Sequence, residues 1–312
     1  MERQVRIADT ALVETDFHMV VMKLEMVTIV TMFFNLQELP GSNPSTRSID
    51  FYLKNGRGTL SAPAPMVVFC DASTRPAIQS IREELSTHPT MYVEKNIGEY
   101  DFFRNNYPII LNNRGRSPGY KDPNDRNTPA HFLTTMFKIP ALFMSYQRCY
   151  FPESTHYMWL DFGCSHMALD VSTAIIPIIQ NPHPKVSCSV IHYRSKRELY
   201  PMSEYLKWGG PCSLVGTVMT VQRGYMESFY TGMMSIFYKQ LNQGVGHTEE
   251  QVLVYLYDRH PELFTLYFSD YRSCLTNYHR SVHDHWTIRT HFIQNARAAG
   301  RTDLVEQAER SL

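Results

Sequence analysis

The run Tyr157-Met158-Trp159-Leu160-Asp161-Phe162-Gly163 does most to limit what this chain can fold into. It is apolar, ends in one acidic residue, and then reaches a glycine. A short apolar run bounded by turn signals reads as a buried strand. Asp161 then sits at the strand's end, where it must be paired, hydrogen-bonded or bound to a cation. Gly163 lets the backbone bend sharply or lets a ligand approach it. The plainer reading is an Asp that opens a turn after a core strand. Two further runs are of the same type. Met26 to Phe34 is β-branched and apolar on both faces, as a central parallel strand is. Met66 to Cys70 follows the same pattern and also ends in an aspartate, Asp71. Ser73 or Thr74 then caps a helix through Leu85 with Pro76 in its first turn, and Met91 to Val93 is a short third strand. This alternation predicts an α/β domain with a mostly parallel sheet, and in such sheets ligands bind outside the carboxyl ends of the strands.

The remaining elements follow from pattern and punctuation. A helix is expected from Ser45 to Lys54, ended by Asn55-Gly56-Arg57-Gly58. Residues 98–128 read as loop-rich. Thr128-Pro129 opens a helix to about Tyr150 with an apolar stripe of Phe132, Met136, Ile139 and Phe143. Pro140 should kink or split that helix, and Lys138 lies off its stripe. Residues 164–185 read as helix or loop and Val186 to His192 as a strand. Trp208-Gly209-Gly210-Pro211 reads as a turn. In the strand Leu214 to Val221, Gly216 suggests a backbone packed closely against something. A helix follows from Tyr225 to Asn242. Thr248 with Gln251 is a capping-box pattern for the next helix, through His260. A polar helical tail, Thr287 to Ser311, breaks near Gly300. The expected division is an extension over 1–25, a main domain over 26–285 with halves 26–163 and 164–285, and a tail over 286–312.

Composition excludes several classes. Among 312 residues, 30 basic side chains balance 30 acidic ones, so no global basic field draws the chain to nucleic acid. Cys70, Cys149, Cys164, Cys188, Cys212 and Cys274 form no CxxC pair and several sit in apolar runs. Buried free thiols point to a reducing, cytoplasmic setting. The first residues, with Glu2, Arg3, Arg6 and Asp9, carry no apolar leader pattern, and Phe17 to Phe34 is too mixed to span a bilayer. A Rossmann GxGxxG after a strand, a P-loop and a GxSxG elbow are all missing.

Four groups of residues remain as candidates for chemistry: Asp161 with Gly163; Glu249 and Glu250; His279, His283 and His285 beside Asp284; and Asp71 with Arg75. A hard cation such as Mn²⁺ or Mg²⁺ needs oxygen ligands, often one or two carboxylates plus substrate phosphates. Asp161 with one C-terminal histidine makes a sparse Mn²⁺ site. The histidine spacing matches no standard zinc pattern, and the plainer reading is a polar, partly solvated turn. Glu249 and Glu250 are also explained by the helix dipole, without any catalytic role.

In order along the chain stand a first strand, a second ending in Asp71, a helix carrying Lys138, Phe151-Pro152-Glu153-Ser154-Thr155, and Trp159-Leu160-Asp161-Phe162-Gly163. Further on come Gly209-Gly210, His247-Thr248-Glu249-Glu250-Gln251-Val252-Leu253 and His260-Pro261-Glu262-Leu263-Phe264. This order resembles the GT-A fold glycosyltransferases, and more narrowly the bacterial HtrL/YibB-type family, over roughly residues 26–285. The resemblance implies transfer of a sugar from a nucleotide-sugar donor to a hydroxyl acceptor on a glycan or other molecule. Asp161 matches the first Asp of the GT-A metal motif, whose usual second Asp is Gly163 here. His283 or His285 matches the histidine that completes the Mn²⁺ or Mg²⁺ site. Thr31, Phe33, Phe34 and Asp71 would hold base and ribose, Lys138 or Arg75 would face the diphosphate, and Glu249 or Glu250 would be the base of an inverting enzyme. Two other readings stay open. A metal-dependent phosphoesterase or other hydrolase would use Asp161 and the histidines. A non-catalytic α/β binding protein would pair Asp161 with a basic side chain and form no cleft.

Overall fold

The structure, a computed structural model, describes residues 26–36, 47–116, 128–193, 214–245, 248–280 and 286–310, with side chains 114–116 excepted. The strands are β1 (Val27–Phe33), β2 (Met66–Cys70), β3 (Thr90–Glu94), β4 (His156–Leu160), β5 (Val186–Val190), β6 (Leu214–Gln222) and β7 (Phe264–Phe268). They form one sheet in the order β3-β2-β1-β4-β6-β5-β7. Every pairing is parallel except those of β6, which runs antiparallel to both β4 and β5. The fold is thus an α/β fold with a mixed, mostly parallel sheet, consistent with a GT-A or Rossmann-like architecture. Among the described residues no helix is long and apolar enough to cross a membrane.

The strands β1, β2 and β4 are buried on both faces because helices cover both. Alternate residues of β1 divide between two cores, Val27, Ile29 and Phe33 on one side and Val30 and Met32 on the other. The first core is closed by α1 (Ile49–Leu60), α2 (Arg75–Leu85) and α5 (Val171–Gln180). The second is closed by α3 (Asp101–Arg116), α4 (Pro129–Arg148), α6 (Met226–Asn242), α7 (Glu249–Arg259), α8 (Trp286–Ala298) and α9 (Thr302–Arg310).

Several boundaries differ from expectation for physical reasons. Helix α1 does not stop at its glycines. A side chain at Gly56 would collide with the Phe162 ring, and one at Gly58 with Ser165, so both glycines are close-packing positions inside the helix. Residues 101–116 are a helix although polar, because one face of α3 buries Phe103 and Ile110 against α4 and the sheet. Residues 117–127 lie outside the described part. Pro140 does not end α4. Lys138, expected off the apolar stripe, is buried, because α4 is enclosed by α3, α6, α7 and the sheet. Thr248 occupies the N-cap of α7, but its hydroxyl bonds the Gln251 side chain rather than a backbone amide. The turn expected at Trp208 to Pro211 lies outside the described residues.

Candidate functional site

Strand order reverses between β1 and β4. β2 and β3 lie beyond β1 on one side, while β4 and later strands lie on the other. Where order reverses in an open α/β sheet, the chains leaving the two strands diverge and leave a crevice. A cleft of about 270 Å³ lies there. Its walls are Phe33 at the end of β1 with Phe34 to Leu36 beyond it, Asp161 to Cys164 after β4, Arg47 just before α1 and Tyr52 in its first turn, and His131, Thr135 and Lys138 from α4.

Asp161 stands at its floor. Its Oδ1 accepts from the Trp159 indole N–H at 2.7 Å and pairs with Lys138 Nζ at 2.8 Å. Its Oδ2 has no hydrogen-bond partner among the described residues, and the side chain is 30% exposed. Lys138 also reaches Glu249 Oε1 at 2.5 Å and the Gly216 carbonyl oxygen at 3.2 Å. The antiparallel course of β6 explains this meeting, because it lays the start of β6, with Gly216, beside the carboxyl end of β4. Glu249, in the first turn of α7, passes over Gly216, where any β-carbon would collide with its carboxylate. Gly216 N–H in turn donates to Glu250 Oε1 at 2.9 Å, and Tyr271 donates to Glu250 Oε2 at 3.1 Å.

The electrostatics of this group are set by burial and by mutual pairing. Burial disfavours the Lys138 ammonium, but Asp161 and Glu249 outweigh it and hold the lysine charged above the usual lysine range. Burial pushes the Glu249 carboxyl up to about 7, against the pull of Lys138 and with repulsion from Glu250 and Asp161 added. Glu249 is 2% exposed, and its Oε2 is buried with no hydrogen-bond partner among the described residues.

The remaining site residues named from the sequence fall at different distances from this centre. Phe33 and Phe34 line the cleft, and Phe33 stacks on Phe162 with centroids 4.8 Å apart. Thr31 is fully buried one pleat below. Asp71 takes Asn35 N–H on Oδ2 at 2.6 Å and Ser73 and Thr74 donors on Oδ1. Burial pushes its carboxyl up, but these hydrogen bonds outweigh burial and hold it below the usual range. Asp71 therefore fastens the chain leaving β1 to the chain leaving β2. Arg75 pairs with Glu94 at 2.8 Å and covers Tyr92, away from the cleft wall. Glu249 and Glu250 are not on that wall either. Glu249 reaches it only through Lys138. His279 bonds the Pro177 carbonyl at 3.0 Å, and His283 and His285 lie outside the described residues.

Among the cleft residues unread from sequence are His166 and Arg47. His166 Nδ1 donates to the Gly163 carbonyl at 2.5 Å, so its Nε2 accepts from Arg47, 3.1 Å away. Arg47 also packs over Phe51. The only sequence signal for His166 was its place in the turn after Asp161. Arg47 had none, since its approach depends on how α1 is laid on the sheet.

A divalent cation would find one free carboxylate oxygen here, Asp161 Oδ2, and the described residues hold no group of three or more His, Cys, Asp or Glu that could bind a metal. The pairing of Asp161 with a lysine is what a non-catalytic protein would show, whereas the cleft beside it is not.

No family model matches the chain, and no curated protein matches its sequence. The narrower HtrL/YibB-type resemblance thus has no family match. Solved structures of similar fold include mouse xyloside xylosyltransferase 1 in its apo form, at 12% identity and TM-score 0.43, covering 77% of this chain and 84% of that one. The 4-diphosphocytidyl-2C-methyl-D-erythritol synthase of Anaerococcus prevotii is similar at 10% identity and TM-score 0.40, over 88% of this chain and 96% of that one. Core-mannan synthase A of Aspergillus fumigatus, in a Mn/GDP form, is similar at 7% identity and TM-score 0.42, over 77% and 72%. These likenesses concern fold alone.

Proposed function

We propose that the chain is a glycosyltransferase that binds a nucleotide-sugar donor in the cleft between β1 and β4 and moves the sugar to a hydroxyl acceptor, on a glycan or another molecule. The observation that carries this reading is Asp161, a carboxylate with one oxygen clamped and one free, at the topological switch point of the sheet. Phe33 and Phe34, at the end of β1, would flank the base. Arg47, fixed by His166, would offer positive charge to the diphosphate as the bond from the anomeric carbon to its oxygen breaks, while Lys138, whose three donors go to Asp161, Glu249 and the Gly216 carbonyl, would not contact it directly. Asp161 Oδ2, with His283 or His285, would hold Mn²⁺ or Mg²⁺, which would supply further charge neutralisation of the leaving group. Lys138 would hold the Asp161 carboxylate at a fixed angle to the cleft, and Glu249 would balance the buried lysine.

The test is thermal unfolding with each common nucleoside diphosphate and its sugar conjugates, with and without Mn²⁺, on wild type and Asp161→Asn. A ligand at about 100 times its Kd adds roughly 2.7 kcal/mol to stability. A rise in Tm with one nucleotide, reduced in the variant, is expected. A cooperative melt that no nucleotide or nucleotide sugar moves would sink the reading.

A further inference from the structure

A second, larger concavity of about 730 Å³ opens elsewhere, and none of its lining residues belongs to the cleft. It lies between α3, the second half of α4 and α6, over the ends of β2 and β3. Its rings come from separate elements: Phe102 from α3, Phe143 from α4, Tyr150 from the turn after α4, and Tyr230 and Tyr238 from α6. Phe143 and Tyr230 stack with centroids 3.9 Å apart and planes 5° apart, which fixes the middle of the groove. Tyr238 is 45% exposed. It stands two turns from Tyr230, about 12 Å along α6.

The polar groups among these rings are unspent. The side chains of Asn105, Gln147 and Arg148 make no hydrogen bond or ion pair with another described residue, and Lys95 meets only the Tyr100 ring, at 4.9 Å. The one acidic residue in the lining, Asp101, is already paired with Arg104. The groove is therefore aromatic, carries two amides with open donors and acceptors, and has two cations without a counter-ion among the described residues.

We propose that this groove binds an acidic oligosaccharide. A pyranose ring offers an apolar C–H face to an aromatic ring and its hydroxyls, in the ring plane, to amides. A uronate carboxylate would meet Lys95 and Arg148 in charge-assisted hydrogen bonds. A nucleotide shares the anion and one flat face, but one base does not reach rings spread along α6. A chain of sugar rings does.

Calorimetric titration of wild type with tetragalacturonate and a hyaluronan tetrasaccharide tests this, with maltotetraose as the neutral control and AMP as the nucleotide control. The same titrations are run on Lys95→Ala/Arg148→Ala, Tyr238→Ala and Asp161→Asn, after melts establish that each folds. All three groove positions are exposed, so the fold should survive. One acidic tetrasaccharide should bind and maltotetraose should bind more weakly. The double variant should weaken binding on the order of tenfold or more, Tyr238→Ala should weaken it too, and Asp161→Asn should leave it unchanged. The proposal is overturned by wild type that binds neither acidic sugar, or by binding that survives both groove changes. Binding lost only in Asp161→Asn would place the sugar in the cleft. AMP binding that the groove variants abolish would make the groove a nucleotide site.

Discussion

At the scale of single residues, the group to explain is Lys138 between two carboxylates. Breaking one arm of a buried pair leaves a charge without compensation, and the cost exceeds what the pair adds. Glu249 gives this a pH signature. Its carboxyl is held near 7 in the folded chain against an ordinary 4.5. Between those values the folded chain binds the extra proton, so this contribution to stability is complete below about 4.5 and is lost as pH rises through about 7. Glu249→Gln cannot titrate. Its urea midpoint should therefore gain on wild type as pH is raised across that window, and parallel curves would sink the assignment. The sequence made half of this legible. Asp161 was found because an apolar run ending in Asp then Gly leaves the carboxylate few options. Gly216 was read as a close-packing position, and Glu249 is what packs there. That Lys138 joins them was hidden, since the lysine and Glu249 stand 111 positions apart on two helices. Helical periodicity placed Lys138 off the buried stripe because it assumes one wet face, and α4 has none at that level.

At the scale of elements, the connections between helix and strand carry much of the order. Arg82 of α2 is 1% exposed and has no carboxylate partner among the described residues. Its guanidinium donates to the carbonyls of Leu60, Ala62 and Ala64 and to Thr90 Oγ1. It thereby satisfies the backbone of the turn between α1 and β2 and ties that turn to β3. Burial pulls its guanidinium down to about 10, and three carbonyls rather than an acid hold it in place. Arg82→Met would keep the apolar stem and remove the donor from the Leu60 and Ala64 carbonyls, whereas Ala62 keeps the Ala64 amide and the Ser86 hydroxyl, at a cost of about 3 kcal/mol. The expected outcome is a lower urea midpoint, with the cleft residues unaffected because Arg82 does not line the cleft. A loss below about 0.5 kcal/mol would mean that water replaces the guanidinium. The same scale shows why some elements were misread. Strand patterns were legible because β1, β2 and β4 are enclosed on both faces, so their residues are continuously apolar. Helix α3 was not, because only a narrow strip of it is buried and Asn, Gly and Pro dilute the period. Strand β7, Phe264–Phe268, went unread because it follows His260-Pro261 without a turn signal of its own.

At the scale of the whole molecule, the sheet grades from a sealed centre to an open margin, and the cleft sits on the sealed part. All seven residues of β1 are buried, and β1 is paired along both edges. β4 is likewise buried throughout and held between β1 and β6. β3 is different. Among the described residues it pairs only with β2, and none of its five residues is fully buried. Opening free energies follow buried contacts and backbone pairing, so an edge strand opens without the rest of the sheet. Amide hydrogen exchange should therefore be slowest in β1 and β4, with protection close to global stability, and faster in β3 by orders of magnitude. The other edge, β7, is largely buried and should lie between them. This gradient bears on the proposed function because a site that would hold Asp161 at a fixed angle is best placed where the backbone opens last. Peptide-resolved exchange measured by mass spectrometry decides the matter. If β4 exchanges as fast as β3, the scaffold under Asp161 is not the rigid element that its packing implies. If β4 exchanges only with global unfolding, the carboxylate is carried by the most stable part of the chain, and any motion at the cleft belongs to the segments around it.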